Sequence, residues 1–167
     1  MFVLGIDPGL SRCGYACLES LPRQQVRAVA LGVLTTPATD PLPSRLAELR
    51  GELGKLIAEL QPQVVAVEHV FFQVNVRTAM SVGQASGLAL AEAWAAGCEV
   101  VQYTPNQVKE TVTGYGGAGK DQVGRRAQVR LGLAAPPKPA DAADAAALAL
   151  CHLAMAPMRA RVAGAQK

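Results

Sequence analysis

The chain has 167 residues and a net charge of +3, and half of its residues are hydrophobic. This length favours one domain with a substantial core, and no apolar run approaches the roughly 20 residues that a membrane-spanning helix requires. Its four cysteines form no C-x-x-C pair and its two histidines have no zinc-like spacing, which argues against a zinc site. We therefore expect a soluble, cytoplasmic protein with reduced thiols and no membrane partner.

The first part of the chain predicts an antiparallel meander followed by a helix. Apolar runs at residues 2–6, 13–19 and 26–35 are separated by short turns, which is typical of three antiparallel strands. A proline-rich connector leads to a helix in which apolar residues recur every three or four positions up to Leu60. The β-branched run at 64–67 then predicts a buried strand, which a right-handed crossover would place parallel to an earlier one.

Acidic residues stand at the ends of two predicted core strands. Asp7 closes the first apolar run, and Glu68 directly follows the run at 64–67. A buried carboxylate must be paired, hydrogen-bonded or metal-bound, although Asp7 alone would also suit the cap of a Pro8–Gly9 turn. If the two strands pair in parallel, both carboxylates reach the same sheet edge and repel each other unless a cation lies between them.

A further acidic pair begins the last predicted helix. Asp141 and Asp144 stand three residues apart in its first turn, and we expect this helix to end near Met155. On their own, two acids at a helix start are ordinary compensation of the helix dipole. Together with Asp7 and Glu68 they make a set of hard oxygen ligands that suits Mg²⁺ or Mn²⁺.

A long helix is predicted from Asn75 to Gly97, with a candidate capping residue at each end. Small residues line one of its sides, and this side permits the close approach of another backbone. That backbone belongs either to the core of the same chain or to a second subunit, and both alternatives stay open. The small residues are Ser81, Ala85, Ser86, Ala89 and Ala93.

The segment after the fifth predicted strand, at 98–103, carries a local excess of positive charge. A capping box at Thr104–Gln107 begins a helix that ends at Gly114. The glycine-rich stretch that follows nearly matches phosphate-binding loops, but a helix precedes it where a strand is required, so we interpret it as a flexible hinge. The surrounding charges form either a solvated helix face or a surface for a phosphate backbone. They include Lys109, Lys120, Arg125, Arg126, Arg130 and Lys138.

Five motifs, in order, resemble those of the RuvC family of Holliday-junction resolvases, within the RNase H-like nuclease superfamily. They are GIDPG at 5–9, VEHVFF at 67–72, QASG at 84–87, QVKETVTGYG at 107–116 and DAADAAALA at 141–149. The first motif also opens actin- and Hsp70-like ATPases, but 167 residues cannot supply their duplicated domains. His69 stands where the family often has Gln, beside the second acid, where an imidazole is able to titrate.

This resemblance implies an RNase H-like α/β fold, with a mixed sheet of three antiparallel and two parallel strands flanked by helices. It implies a nuclease domain over residues 1–156, followed by a basic C-terminal tail over 157–167 whose order the sequence does not decide. It further implies a homodimer that binds four-way junction DNA and nicks two opposing strands symmetrically in recombination and repair. A branch-migration motor is the partner that the family suggests.

The same motifs suggest roles for individual residues. The catalytic and metal-binding acids would be Asp7, Glu68, Asp141 and Asp144, holding two Mg²⁺ or Mn²⁺ ions. The resemblance implies DNA binding by Phe71, Lys109 and Lys120, and we add Phe72, Arg77 and Arg125 as further candidates. Phe71 is expected to wedge into the junction centre and Phe72 to pack behind it. The expected dimer contacts are Ser81, Ala85 and Ala89.

Two other functions share part of this pattern. An RNase H-like nuclease acting on RNA or simple duplex would have the same acids but has no evident need for a Phe71–Phe72 pair or a dimer. A junction-binding scaffold that does not cut would lack one of the acids. All four acids are present, which disfavours the scaffold.

Overall fold

The structure is a computed structural model that describes residues 1–69 and 76–165. The strands in these ranges are β1 (Phe2–Asp7), β2 (Arg12–Ser20), β3 (Val26–Thr35), β4 (Val64–Glu68) and β5 (Glu99–Tyr103). The helices are α1 (Leu42–Leu60), α2 (Val76–Ala95), α3 (Pro105–Thr113), α4 (Lys120–Leu131) and α5 (Ala140–Ala165), with a short 3₁₀ turn at Pro22–Gln24. None of the helices in the described ranges is long and apolar enough to cross a membrane.

The five strands form one sheet in the order β3-β2-β1-β4-β5. β1, β2 and β3 pair antiparallel, whereas β4 runs parallel to both β1 and β5. The predicted fold class is therefore confirmed. Ile6 on β1 pairs with Val67 on β4, so the acids that follow them reach the same edge of the sheet.

Helices cover both faces of this sheet. Leu4 and Ile6 of β1 pack with α1 and α2, while Val3 on the opposite face packs with α3, α4 and α5. Side chains alternate between the faces of a strand, and here each face has its own apolar cluster. This two-sided burial explains why β1 and β4 are continuously apolar instead of alternating.

The small-residue side of α2 lies inside the first of these clusters. Ala85 and Ala89 are completely buried and pack with Leu49 and Leu53 of α1. The prediction that Ala85 and Ala89 contact a second subunit is therefore wrong, because neither side chain is accessible to another copy. This side of the helix packs in the core of the same chain. Ser81, near the start of the helix, is only half-buried.

The last helix is longer than expected, since α5 continues to Ala165 with Pro157 inside it. Two contacts fasten it to β5. Buried His152 hydrogen-bonds through Nδ1 to the hydroxyl of Tyr103 at 3.0 Å, and Arg159 pairs with Glu99 at 3.3 Å. Much of the predicted tail is thus helical.

Candidate active site

Asp7 and Glu68 end adjacent parallel strands, and both are half-buried. Burial raises the pKa of Asp7 to about 7, and repulsion from Glu68 and Asp144 adds to the effect. Burial likewise raises the pKa of Glu68, again reinforced by Asp144. Acids held this way favour a cation in their midst, because ionisation of one opposes ionisation of the next.

The acids of α5 reach this edge because the helix lies directly against β1 and β2. A Cβ on Gly5 would overlap the carbonyl oxygen of Ala145, and one on Gly14 would overlap that of Asp141. Only glycine permits such close backbone approach. The sequence pattern does not predict this contact at either glycine, because a glycine within a strand is equally typical of a bulge or a bend.

Cations already pair with both acids of α5. Arg12 donates from Nε and Nη2 to Oδ2 of Asp141 at 2.9 and 2.8 Å. Lys120 donates from Nζ to Oδ2 of Asp144 at 2.7 Å, a bond that raises the pKa of the lysine. Sequence reasoning missed Arg12, for which the available signal was its position directly after the GIDPG motif and its turn.

A cavity of about 290 Å³ joins these groups. Carboxylates of Asp7, Glu68 and Asp144 line it together with Lys109 and Lys120, over an apolar floor. Both lysines lower the pKa of Glu68, which opposes the effect of burial. The cavity thus brings three carboxylates and two lysines together, an arrangement suited to a cation with a bound phosphate.

Within residues 1–69 and 76–165, no three carboxylate, histidine or cysteine side chains already converge as a metal cage. Arg12 and Lys120 hold Asp141 and Asp144 in separate ion pairs. The donor set nevertheless fits a hard divalent ion, since Glu68, Asp144 and Asp141 each raise the pKa of Asp7 and a cation would relieve that repulsion.

The other predicted residues are distributed as follows. Arg125 is exposed on α4, and Lys109 lines the cavity. His69 is exposed, and its backbone N–H donates to the carbonyl of Tyr103 at 2.8 Å. Phe71 and Phe72 lie outside the described residues. Arg77 lies in α2, but the structure does not describe its side chain.

Comparison with known families decides the relationship. Residues 3–152 match the family described as Crossover junction endodeoxyribonuclease RuvC. The chain belongs to the RuvC family. A RuvC relative from Salinispora arenicola is 48% identical over 165 residues, covering 99% of this chain and 94% of its own length. One from Chloroflexus aggregans is 48% identical over 157 residues, covering 94% of this chain and 95% of its own.

Solved structures agree with this assignment. Thermus thermophilus RuvC superposes with a TM-score of 0.87 at 34% identity, covering 95% of this chain and 97% of its own. The same protein in complex with a Holliday junction substrate superposes with a TM-score of 0.86 at 32% identity, and the match covers 95% of this chain and 96% of that one. The yeast mitochondrial Holliday junction resolvase Ydc2 superposes with a TM-score of 0.71 at 16% identity, covering 95% of this chain and 80% of its own. This match shows a shared fold.

Proposed function

We propose that this RuvC-family protein is a metal-dependent endonuclease that resolves four-way DNA junctions by paired nicks. The observation that carries the proposal is the grouping of Asp7, Glu68 and Asp144 in one cavity that two lysines also line. Relatives named crossover junction endodeoxyribonuclease, and a Thermus thermophilus RuvC bound to a Holliday junction substrate, support it.

The four acids would hold two Mg²⁺ or Mn²⁺ ions. When bound, such ions activate a water molecule and stabilise the leaving oxygen of a phosphodiester. The protein's own residues prepare the site: strand ends position Asp7 and Glu68, and the contact of α5 with Gly14 positions Asp141. Arg12 and Lys120 offset the negative charge of Asp141 and Asp144.

DNA binding is assigned to basic side chains around the cavity. Lys120 is exposed and bonded to Asp144, so it is placed to contact a phosphate held beside the acids. Lys109 and Arg125 extend the positive surface along α3 and α4. We assign Phe71 to stacking at the junction centre, a contact worth about 1–3 kcal/mol per base, with Phe72 packing behind it. Arg77 completes the proposed DNA-binding set.

Symmetric cutting requires two acid sites, and a two-fold homodimer supplies them. We assign the interface to the side of α2 opposite its buried alanines. Met80, Gly87, Ala91 and Trp94 are exposed there, and a Cβ on Gly87 would meet nothing within 4 Å. An exposed apolar stripe with a small residue at its centre suits close helix packing. A branch-migration motor as a further partner rests on the family resemblance alone.

The decisive experiment compares three substrates: a synthetic four-way junction, a linear duplex and an RNA–DNA hybrid, each with Mg²⁺, Mn²⁺ or chelator. We expect paired nicks in the junction only, and only with metal. Asp7→Asn and Glu68→Gln should abolish cutting and leave junction binding largely intact, whereas Asp40→Asn, at an exposed turn, serves as the control. Preferred cutting of the hybrid, or full activity in Asp7→Asn, would refute the proposal.

A further inference from the structure

A second cavity, of about 820 Å³, adjoins the acid site. It lies between the first turns of α4 and α5 and the loop 136–139, and we refer to it as the proline cavity. Lys120 and Asp144 line both this cavity and the acid site. Their ion pair, 2.7 Å long, therefore stands where the two cavities meet.

The walls of the proline cavity combine apolar rings with positive charge. Pro136, Pro137 and Pro139 provide the rings. The exposed side chains of Arg125 and Lys138 provide positive charge that exceeds the single negative charge of exposed Asp121, since Lys120 and Asp144 offset each other. Its volume falls within the range of about 300–1,000 Å³ that is usual for organic ligands and far exceeds the need of an inorganic anion. The lining therefore suits a molecule with a flat apolar part and an anionic part.

A nucleotide has both parts, and the proposed substrate brings one to this place. A DNA strand whose phosphate lies among Asp7, Glu68 and Asp144 must continue away from the acid site on either side. The proline cavity shares two residues with that site, so it is within reach of the neighbouring nucleotide. Arg125 and Lys138 would neutralise the next phosphate, and the proline rings would pack on an unstacked base.

We propose that the proline cavity binds the nucleotide adjoining the scissile phosphate and thereby contributes to the choice of cleavage sequence. This inference rests on the proposed function, because it requires a DNA strand in the acid site. In this arrangement the loop 136–139 contacts the base beside the scissile phosphate, so the cleavage rate depends on the identity of that base. Residues of this loop are thus specificity-determining, and they do not act on the phosphate being cut.

The first test measures cleavage of a panel of junctions that differ only in the bases flanking the scissile phosphate. Lys138→Ala and Arg125→Ala should reduce the ratio between the best and worst junctions at least threefold. Arg130→Ala, on the same helix α4 but not lining the cavity, is the matched control for Arg125. Ratios equal to wild type in both cavity variants, or a uniform fall in all rates that follows weaker binding, would overturn the inference.

A second test does not depend on cutting. All four native cysteines are buried, so Lys138→Cys adds an exposed thiol. In an Asp7→Asn background, the new thiolate attacks a disulfide-capped tether on a chosen base, forming a protein–DNA disulfide and releasing the small capping thiol. We expect at least tenfold faster cross-linking to one base beside the scissile phosphate than to a base several nucleotides away, and no such difference for Arg130→Cys.

The outcomes separate this inference from the proposed function. A wild type that cuts the junctions while both tests show no effect of the cavity overturns the inference alone. A wild type that cuts no junction overturns the proposed function, and the inference with it. Position-specific cross-linking together with altered cleavage ratios supports both.

Discussion

Gly14 on β2 has no room for a side chain, because a Cβ there would overlap the carbonyl oxygen of Asp141 at the start of α5. Gly14 is also the residue that pairs with Asp7 across the β1–β2 ladder. One glycine thus brings the helix that carries Asp141 and Asp144 against the strand end that carries Asp7. The geometry of the acid site depends on this backbone contact.

We predict that Gly14→Ala impairs cleavage more than its effect on folding explains. The added methyl group must push α5 away, at a cost of about 1–3 kcal/mol, and it displaces two acids relative to Asp7. A displacement near 1 Å costs roughly 100-fold in rate. Single-turnover cleavage and thermal unfolding measure the two effects.

Gly51→Ala is the matched control for this variant. Gly51 is exposed in α1, a Cβ there meets nothing within 4 Å, and alanine is the better helix former by up to about 1 kcal/mol. It should cut normally and unfold at a slightly higher temperature. If Gly14→Ala cleaves at the wild-type rate, close contact between α5 and β2 is not required for activity.

Asp7 should lower the stability of the metal-free protein at neutral and higher pH. Its pKa is about 7 in the fold against an ordinary 3.8, so the stability that it contributes is complete below pH 3.8 and is lost as the pH rises through 7. In chelator at pH 8, Asp7→Asn should therefore unfold at a higher temperature than the wild type. The gain in unfolding free energy is at most roughly 4 kcal/mol, and solvent screening reduces it.

The same comparison at pH 4 provides the control, since Asp7 is then largely protonated in the fold and resembles Asn. Added Mg²⁺ should stabilise the wild type more than Asp7→Asn, because the ion favours the charged carboxylate. Melting curves across pH 4–8, with and without Mg²⁺, decide the matter. A variant less stable than wild type at pH 8 would contradict this account.

Arg12 is predicted to position Asp141. Removing it in Arg12→Ala frees the carboxylate to rotate, so we expect cleavage to fall about tenfold, chiefly through a higher Mg²⁺ requirement, and stability to change by less than about 1 kcal/mol. Arg27→Ala is the control, because Arg27 pairs with Glu19 through the same two nitrogen atoms elsewhere on the sheet. A lower Mg²⁺ requirement in Arg12→Ala would mean instead that Arg12 competes with the ion.

The reassigned dimer interface predicts opposite results for two substitutions on α2. Gly87→Arg should give a folded monomer that nicks poorly and without pairing, because the proposed contact lies on this exposed side. Ala85→Arg should instead unfold the chain, since a charge cannot enter the core there. Sedimentation velocity and circular dichroism distinguish these outcomes. A wild type that stays monomeric at micromolar concentration with junction bound would refute the dimer.

The burial of His152, whose ring hydrogen-bonds to Tyr103, makes stability sensitive to acid. Burial lowers the pKa of His152 below its ordinary 6.5, so the histidine contributes stability that is present above pH 6.5 and is lost as the pH falls below it. The difference in unfolding free energy between wild type and His152→Gln should therefore shrink from pH 8 to pH 5. A difference that stays constant over this range would mean that His152 does not control the response to acid.

Local signals in the chain were enough to predict the strands, their parallel crossover and the placement of Asp7 and Glu68 at one edge. These signals are the apolar runs, their periodicity and the residues that end them. Once β1 and β4 are known to be adjacent and parallel, the two strand ends must meet. The acidic pair of α5 was equally visible, because a helix start is marked in the sequence.

Which surfaces touch one another was set by packing in three dimensions. The tertiary packing placed Ala85 and Ala89 in the core beside α1. It also brought Arg12 to Asp141 and α5 against Gly14. A stripe of small residues or a glycine in a strand permits another backbone to approach closely, but it does not specify which element of the structure that backbone belongs to. The neighbour is selected by the packing of whole faces, which depends on every element at once and leaves no local mark in the chain.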